Sequence, residues 1–492
     1  MRVDGIRLLC RLTLTAARGF EVLSRTLFWA VLLACLAAPG TAVTLGVSRD
    51  GAHFTIEGKP TFLNGISYYA GTTVSTPDFL TRDLDDMVRN GVNWIRVWAT
   101  WDLNENLDSS TVAIDGSVRE PYMSRLKTIV RECNRRKMIV DVTMHRGKHP
   151  APSVQAEHLA CAKTLAAELK PYRNVYFDMG NERDVMDTRF VSYADMGELI
   201  SAVKAIDPKR LCTASGVPDS KDDLDDYLTK GHCDFIAPHL GRDKGDPART
   251  LGTVTKFIGW MKGLGKRVPV HLQEPFRQDY ARYQPTAEDY YRDAGGGKIA
   301  GAAGWCLHNG STESDPNGRP HRSFLMNDAE GRLFAQLNKL ELEVVANMRE
   351  QIGGTSPDTL RYQAEYDEQM SHASGRKDGL AWAATPGEDK PGYLCSGLAV
   401  KPVLSGRCRV TCRLAGDGQA EGDTEVAVIQ VLAGDKQVGS KAVRASDLAG
   451  AGKWREFSLN FTAQNGPTDV RVNWPGKSAL KLDWVTIAAS RH

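Results

Sequence analysis

The sequence predicts an α/β fold, a (β/α)8 TIM barrel, followed by an all-β sandwich. Three observations predict it. Short apolar runs alternate with amphipathic helical segments in eight successive units between Phe62 and Met348. Such alternation implies parallel strands with right-handed crossovers, and eight units close into a barrel. The segment Gly353-Gly354-Thr355-Ser356-Pro357 then interrupts the pattern, as a linker does. Beyond it, alternating and β-branched runs are separated by Gly, Asp and Asn turns, the texture of a sandwich. A doubly wound open sheet is the alternative, but it usually carries a Gly-rich phosphate loop after an early strand, and the sequence has none.

The elements follow in order. Thr44 to Ile56 reads as a hairpin turning at Asp50-Gly51. Strand Phe62–Ile66 leads to a helix near Phe79–Asn90, with Leu80, Leu84, Met87 and Val88 on one face. Strand Trp94–Trp98 precedes a helix over Tyr122–Lys137, and strand Met138–Met144 precedes Val154–Leu169. Strand Val175–Met179 leads to Met196–Ile206, and Leu211–Ser215 to a weak helix near Asp222–Thr229. Strand Asp234–Pro238 leads to Val254–Leu264, Val268–Gln273 to Ala287–Ala294, and Ala302–Cys306 to Leu333–Met348. In the sandwich, strands are expected at Arg407–Leu414, Thr424–Leu432, Trp454–Phe461, Val470–Trp474 and Leu480–Ile487.

At the N-terminus, Arg2, Arg7, Arg11, Arg18 and Arg25 precede the apolar run Leu27–Ala38, and small residues follow up to Ala42. The run is short for a bilayer span, so it reads as an export signal rather than a stable membrane insertion. The expected domains are residues 1–42 as signal, 43–350 as barrel, 351–361 as linker and 362–492 as sandwich. The expected location is secreted or periplasmic. The alternative is a lipid anchor on Cys35, because Leu32-Leu33-Ala34-Cys35 resembles a bacterial lipobox.

A net charge of +2 over 492 residues, with no dense basic tract, argues against nucleic acid as partner. Ten cysteines form no CxxC pair and no metal-like spacing, so they read as small buried hydrophobes. No metal or other cofactor is expected. A metal-dependent hydrolase on a barrel usually shows His-x-His after the first strand, where this chain reads Ile66-Ser67-Tyr68-Tyr69.

Two strands end on a carboxylate. Val175-Tyr176-Phe177-Asp178-Met179-Gly180 runs into Asn181-Glu182, and Val268–Gln273 runs into Glu274. The carboxyl ends of barrel strands face the loops where substrate sits, and a pair of carboxyl groups there is what a retaining glycosidase requires. Together with Asn64-Gly65, Trp94-Ile95-Arg96-Val97 and Gly304-Trp305, these strand ends resemble glycoside hydrolase clan A, most closely the cellulase-like family 5, over about residues 44–350. The resemblance implies hydrolysis of β-linked glycans by double displacement, with Glu182 as acid/base and Glu274 as nucleophile. It also implies that Arg96 contacts the nucleophile and that Trp305 floors the subsite of the cleaved sugar.

Arg96 near Glu274 should lower that carboxylate's pKa, and the charge on Glu274 should raise that of Glu182. Asn181, His239, His145, Tyr68 and Trp98 are further candidates for substrate contact; Tyr69, Trp101 and Phe276 also follow strand ends and have faces suited to sugar rings. The sixth strand ends Ala237-Pro238-His239-Leu240, without the family's tyrosine that supports the nucleophile, and His145 falls slightly later than usual. The alternative function is a non-catalytic glycan-binding protein on the same barrel. The sandwich loosely resembles carbohydrate-binding modules, with Trp382, Tyr393, Trp454 and Trp474 as candidate platforms and Trp484 as core. Its acidic opening, Ala364–Glu368, is a candidate for calcium.

Overall fold

The computed structural model describes residues 42–100, 109–278, 284–309, 325–329, 331–419, 422–448 and 450–489. The expected signal and Cys35 lie outside the described residues.

The hairpin forms as β1 (Leu45–Val47) and β2 (Phe54–Ile56), and β3 (Lys59–Thr61) adds a third antiparallel strand. Phe54 on β2 is fully buried and packs on the rings of Tyr176, Phe235 and His271, all from the barrel interior. The hairpin therefore closes the end of the barrel at which the strands begin.

Seven parallel strands follow: β4 (Leu63–Ser67), β5 (Trp94–Trp98), β6 (Ile139–Thr143), β7 (Val175–Asp178), β8 (Leu211–Thr213), β9 (His271–Leu272) and β10 (Gly304–Leu307), ordered β8-β7-β6-β5-β4-β10-β9. The sixth expected strand is not a continuous ladder. Residues 234–240 nevertheless bridge both edges: Asp234 N–H donates to Cys212 O and Gly216 N–H to Ala237 O on one side, and Ile236 N–H to Pro269 O and Leu240 N–H to Glu274 O on the other. The barrel thus closes through eight segments. Pro238 and Pro269 have no N–H to give to a ladder, which accounts for the shortness of pairing here.

The helices between the strands are α1 (Pro77–Arg89), α2 (Tyr122–Arg135), α3 (Gln155–Leu169), α4 (Tyr193–Ile206), α5 (Lys221–Thr229), α6 (Asp246–Gly263), α7 (Ala287–Ala300), α8 (Leu333–Gln336) and α9 (Lys339–Gln351). Most match the expected spans closely. α6 begins earlier, and the last expected helix is broken into α8 and α9. α7 runs on through Gly295-Gly296-Gly297, where helix propensity alone predicts an end. A Cβ on Gly297 would lie 2.8 Å from Leu272 Cδ1, so close approach of α7 to β9 overrides propensity. Gly65 is required similarly: a Cβ there would lie 2.2 Å from the Trp94 ring.

The C-terminal domain is antiparallel: β11 (Thr359–Gln363), β12 (Arg376–Asp378), β13 (Ala381–Ala384), β14 (Gly392–Cys395), β15 (Val403–Gly416), β16 (Glu425–Ala433), β17 (Lys436–Arg444), β18 (Arg455–Trp474) and β19 (Leu480–Ala489). The long β18 pairs β15 with its first part and β16 with its last, so one strand belongs to both faces of the sandwich. The expected linker is tied to the barrel: Phe62 N–H donates to Thr355 O at 2.7 Å, and the buried Lys298 ammonium donates to Ile352 O at 2.8 Å and Gly354 O at 2.6 Å. The acidic opening faces the barrel as well. Glu368 pairs with Arg292 on α7, and Tyr366 donates to Glu288.

The eight described cysteines are free and buried. No helix among the described residues is long and apolar enough to cross a membrane.

Candidate active site

Period-two alternation sorts the strand residues into two sets. On β5, Trp94, Arg96 and Trp98 point into the barrel, while Ile95 and Val97 meet the helices. Arg96 is fully buried among polar partners. Its Nε donates to Thr143 Oγ1 at 3.0 Å, and its NH2 to Asp178 Oδ2 at 3.0 Å and Asn181 Oδ1 at 2.7 Å. Its NH1 donates to Glu274 Oε1 in a short contact. Asp141 closes the network 3.3 Å from Arg96 Nε. One guanidinium therefore ties the ends of strands β5, β6 and β7 to the carboxylate after β9.

Glu274 is 5% exposed. Besides Arg96 it receives Arg242 NH2 on Oε2 at 2.8 Å, and His308 Nε2 lies 3.2 Å from the same oxygen. Burial would raise its pKa, but His239, His308 and Arg96 outweigh burial and hold it well below the usual carboxylate range. Burial pushes the His308 pKa down to about 3, against the pull of Glu274. Its ring also contacts the Tyr69 hydroxyl through Nδ1, so Tyr69, His308 and Glu274 form a chain.

Glu182 sits at φ 50°, a backbone conformation that non-glycine residues rarely adopt. Its N–H donates to Ser215 Oγ at 3.2 Å, which helps hold that turn. His239 Nδ1 stands between the two glutamates, 3.5 Å from Glu182 Oε1 and 3.6 Å from Glu274 Oε2. One oxygen of each glutamate and a ring nitrogen of His239 all lie within 4.8 Å of one another. Such a triplet has the donors a metal ion takes, but the guanidiniums of Arg96, Arg242 and Arg189 already compete for these carboxylates.

Burial raises the Glu182 pKa, and so, as expected, does the charge on Glu274, but His239 first and Arg189 after it more than reverse both, and the net pKa falls to about 2. Arg189 lies on the loop after β7 and is the counter-charge that sequence reading missed.

Other expectations are corrected by the same alternation. Trp305 is 1% exposed and its Nε1 donates to Asp293 Oδ2 on α7 at 2.6 Å. It packs between sheet and helix rather than under the cleft, and His308, three residues on, approaches Glu274 instead. Tyr68 also points outward, its hydroxyl 3.2 Å from Asp83 on α1, and Tyr69 takes the inward place. Phe276 is fully buried against Tyr290. Trp98 lies near Tyr69, His145 and Arg96, and His145 is positioned by its backbone N–H, which donates to Thr100 Oγ1. Trp101 lies outside the described residues. In the sandwich, Trp474 is core, Trp382 stacks on His372, and Arg413 covers Trp454.

Residues 48–229 match the family model described as Cellulase (glycosyl hydrolase family 5). A solved structure named as a glycoside hydrolase shares 14% identity, with 91% of this chain and 97% of that chain covered and a TM-score of 0.51. A glycoside hydrolase family 5 structure from Bacteroides vulgatus ATCC 8482 also shares 14% identity, covering 88% of this chain and 93% of its own, with a TM-score of 0.51. At such identity these two speak for the fold alone. No curated protein matches the chain significantly. The cellulase-like match thus covers residues 48–229, most of the first five strand-helix units of a barrel that is joined to a C-terminal antiparallel β-domain, and it is a match to a glycoside hydrolase family.

Proposed function

We propose that this domain hydrolyses β-linked glycans with retention of configuration, Glu274 acting as nucleophile and Glu182 as acid/base. The observation that supports this most is the closeness of the two carboxylates, with oxygens inside 4.8 Å. Retaining enzymes use carboxyl groups about 5–5.5 Å apart, and inverting enzymes need about 6.5–9.5 Å to admit a water. In the first step a Glu274 oxygen bonds to the anomeric carbon as the glycosidic C–O bond breaks, and the leaving oxygen takes the proton of Glu182. In the second, water loses a proton to Glu182 and displaces Glu274 from the sugar.

The environments suit Glu274 directly, since a carboxylate kept ionised is ready to attack. Glu182 must gain a proton, so its contact with Arg189 has to loosen during the cycle. Asn181, His239, His145 and Trp98 are proposed to contact the sugar, with Arg96 orienting Glu274. Arg242 and His308 are proposed to support the nucleophile where the family's tyrosine is missing.

The proposed domain boundaries are 43–350 for the barrel and 362–492 for the sandwich, in an exported protein with residues 1–42 as signal. The test is the configuration of the first product. NMR of a 4-nitrophenyl β-glycoside digest should show the β-anomer first. An α-anomer appearing first would exclude the double displacement, and no turnover across β-glucosides, β-mannosides, β-xylosides and β-glucans would favour the non-catalytic reading.

A further inference from the structure

We propose that the cavity between helices α7 and α9 and the C-terminal β-domain is a second, non-catalytic site that binds a short stretch of β-linked glycan, with Arg361 and Glu365 holding its hydroxyls beside Trp454. The choice of ligand rests on the glycosidase reading above; the existence of the site does not.

The cavity has a volume of about 330 Å³, at the lower end of the range that small-molecule sites occupy. One wall is Glu288 at the start of α7 with Glu350 and Gln351 at the end of α9, and the other is the β-domain. Neither Glu182 nor Glu274 lines it.

Strand alternation builds the β-domain wall. On β11 and just beyond it, Arg361, Gln363 and Glu365 share one face, while Leu360, Tyr362 and Ala364 turn to the core. Two of the three are fixed to α9: Arg361 NH1 donates to Glu350 O at 2.9 Å, and Gln363 Nε2 to Gln351 Oε1 at 3.0 Å. The barrel therefore holds this wall in place.

Two buried polar atoms on the wall are unsatisfied. Arg361 is 8% exposed and Glu365 5%, yet Arg361 Nε and Glu365 Oε2 have no hydrogen-bond partner among the described residues. An unpaired buried polar atom costs stability, and a ligand that satisfied both would recover it. Arg361 Nε can only donate. Glu365 can accept, and it can also donate, because burial first and then Glu288 and Asp483 push its pKa up to about 8. Hydroxyls meet both needs, since each one donates and accepts. Four residues of strand, roughly 13 Å of backbone, separate the two residues. That is more than one sugar ring spans, so the ligand is a short chain rather than a monosaccharide. A metal ion fits less well, because a carboxyl that keeps its proton is a poor ligand.

Trp454 gives the wall an apolar surface. It is partly exposed, and the Arg413 guanidinium lies 5.3 Å from its ring centroid while donating to Asp483 Oδ2 at 2.6 Å. Apart from Trp454, Leu380 and Ala381, every lining side chain is polar or charged, and a largely apolar ligand would leave these groups desolvated without partners. A sugar chain has apolar C–H faces for the indole and hydroxyls for the rest.

The test is calorimetry on the full chain carrying Glu274→Gln, with cellohexaose, mannohexaose and xylohexaose as probes. At least one should bind, and glucose, mannose and xylose should bind far more weakly at this site. Adding Glu365→Leu or Trp454→Ala should weaken hexasaccharide binding at this site by roughly tenfold or more, the loss of one or two good contacts. In the otherwise wild-type chain, Trp454→Ala should leave kcat/KM on 4-nitrophenyl β-glycosides unchanged. If Glu365→Leu fails to fold, the partly exposed Trp454 decides. Hexasaccharide binding that Trp454→Ala does not weaken, or no hexasaccharide binding, would overturn the inference and leave the glycosidase reading standing. If the aryl glycosides are not cleaved while hexasaccharide binding still falls in Trp454→Ala, the glycosidase reading fails and the site stands. Calcium bound by the chain and lost in Glu365→Leu, with no sugar bound, would make this a cation site and overturn the inference.

Discussion

Arg189 donates to Oε2 of Glu182, and this ion pair opposes the proton that an acid catalyst must carry. A neighbouring positive charge favours the ionised carboxylate, so removing it raises the pKa. In Arg189→Met the basic limb of the kcat/KM profile on an aryl β-glycoside should therefore move to higher pH, because Glu182 keeps its proton further up the scale. A limb that stays in place or moves down would show that Arg189 does not govern this proton.

Arg96 is the buried hub of the site, with Glu274, Asp178, Asn181 and Thr143 as partners. Removing one partner from a buried ion-pair network leaves uncompensated charge and costs about 3–5 kcal/mol. Arg96→Met should lose about that much in urea unfolding. Arg96→Lys should recover little of it, because an ammonium lacks the planar fork that reaches these partners together. A loss under about 1 kcal/mol would contradict the hub role.

Lys298 is buried against the linker carbonyls, and burial brings its pKa down from the usual 10.5 to about 7. Between those values the unfolded chain binds more protons than the folded one, so stability due to this residue rises with pH from about 7 to about 10.5. Below about 7 both states are protonated and the penalty is complete. The melting temperature of the wild type minus that of Lys298→Met should climb over this window. A flat difference would mean that Lys298 titrates alike in both states.

The segment 353–357 is bonded to the barrel through Phe62 and Lys298, although its composition reads as a free connection. A fragment of residues 43–352 should melt lower than one of residues 43–358, which keeps Thr355 O and Gly354 O in place. Equal melting temperatures would restore the reading of a loose linker.

Much of the barrel was legible because strand and helix periods differ and repeat eight times. Asn181, Glu182 and Glu274 could be named because they stand directly after apolar strands, and Arg96 because it interrupts one. His239, expected at the end of the sixth segment, stands between the two glutamates. Stricter use of the same period would have separated Tyr69 from Tyr68 and His308 from Trp305, since adjacent strand residues face opposite sides. Arg189 and Arg242 left no such signal. They lie on loops, where no period fixes direction: Arg189 turns back onto Glu182 seven residues before it, and Arg242 reaches Glu274 from the preceding strand-helix unit. The continuation of α7 through three glycines was equally hidden, because it depends on how close Leu272 must come.

The most direct measurement is azide rescue of the two glutamate variants on a 4-nitrophenyl β-glycoside. A good leaving group needs little protonation, so Glu182→Ala should still form the glycosyl ester and then accumulate it, with no base to activate water. Azide should restore its turnover and release the β-glycosyl azide. Glu274→Ala cannot form the ester, and azide should give at most the α-glycosyl azide. The same azide product from both variants, or undiminished hydrolysis in either, would contradict the assignment of the two glutamates.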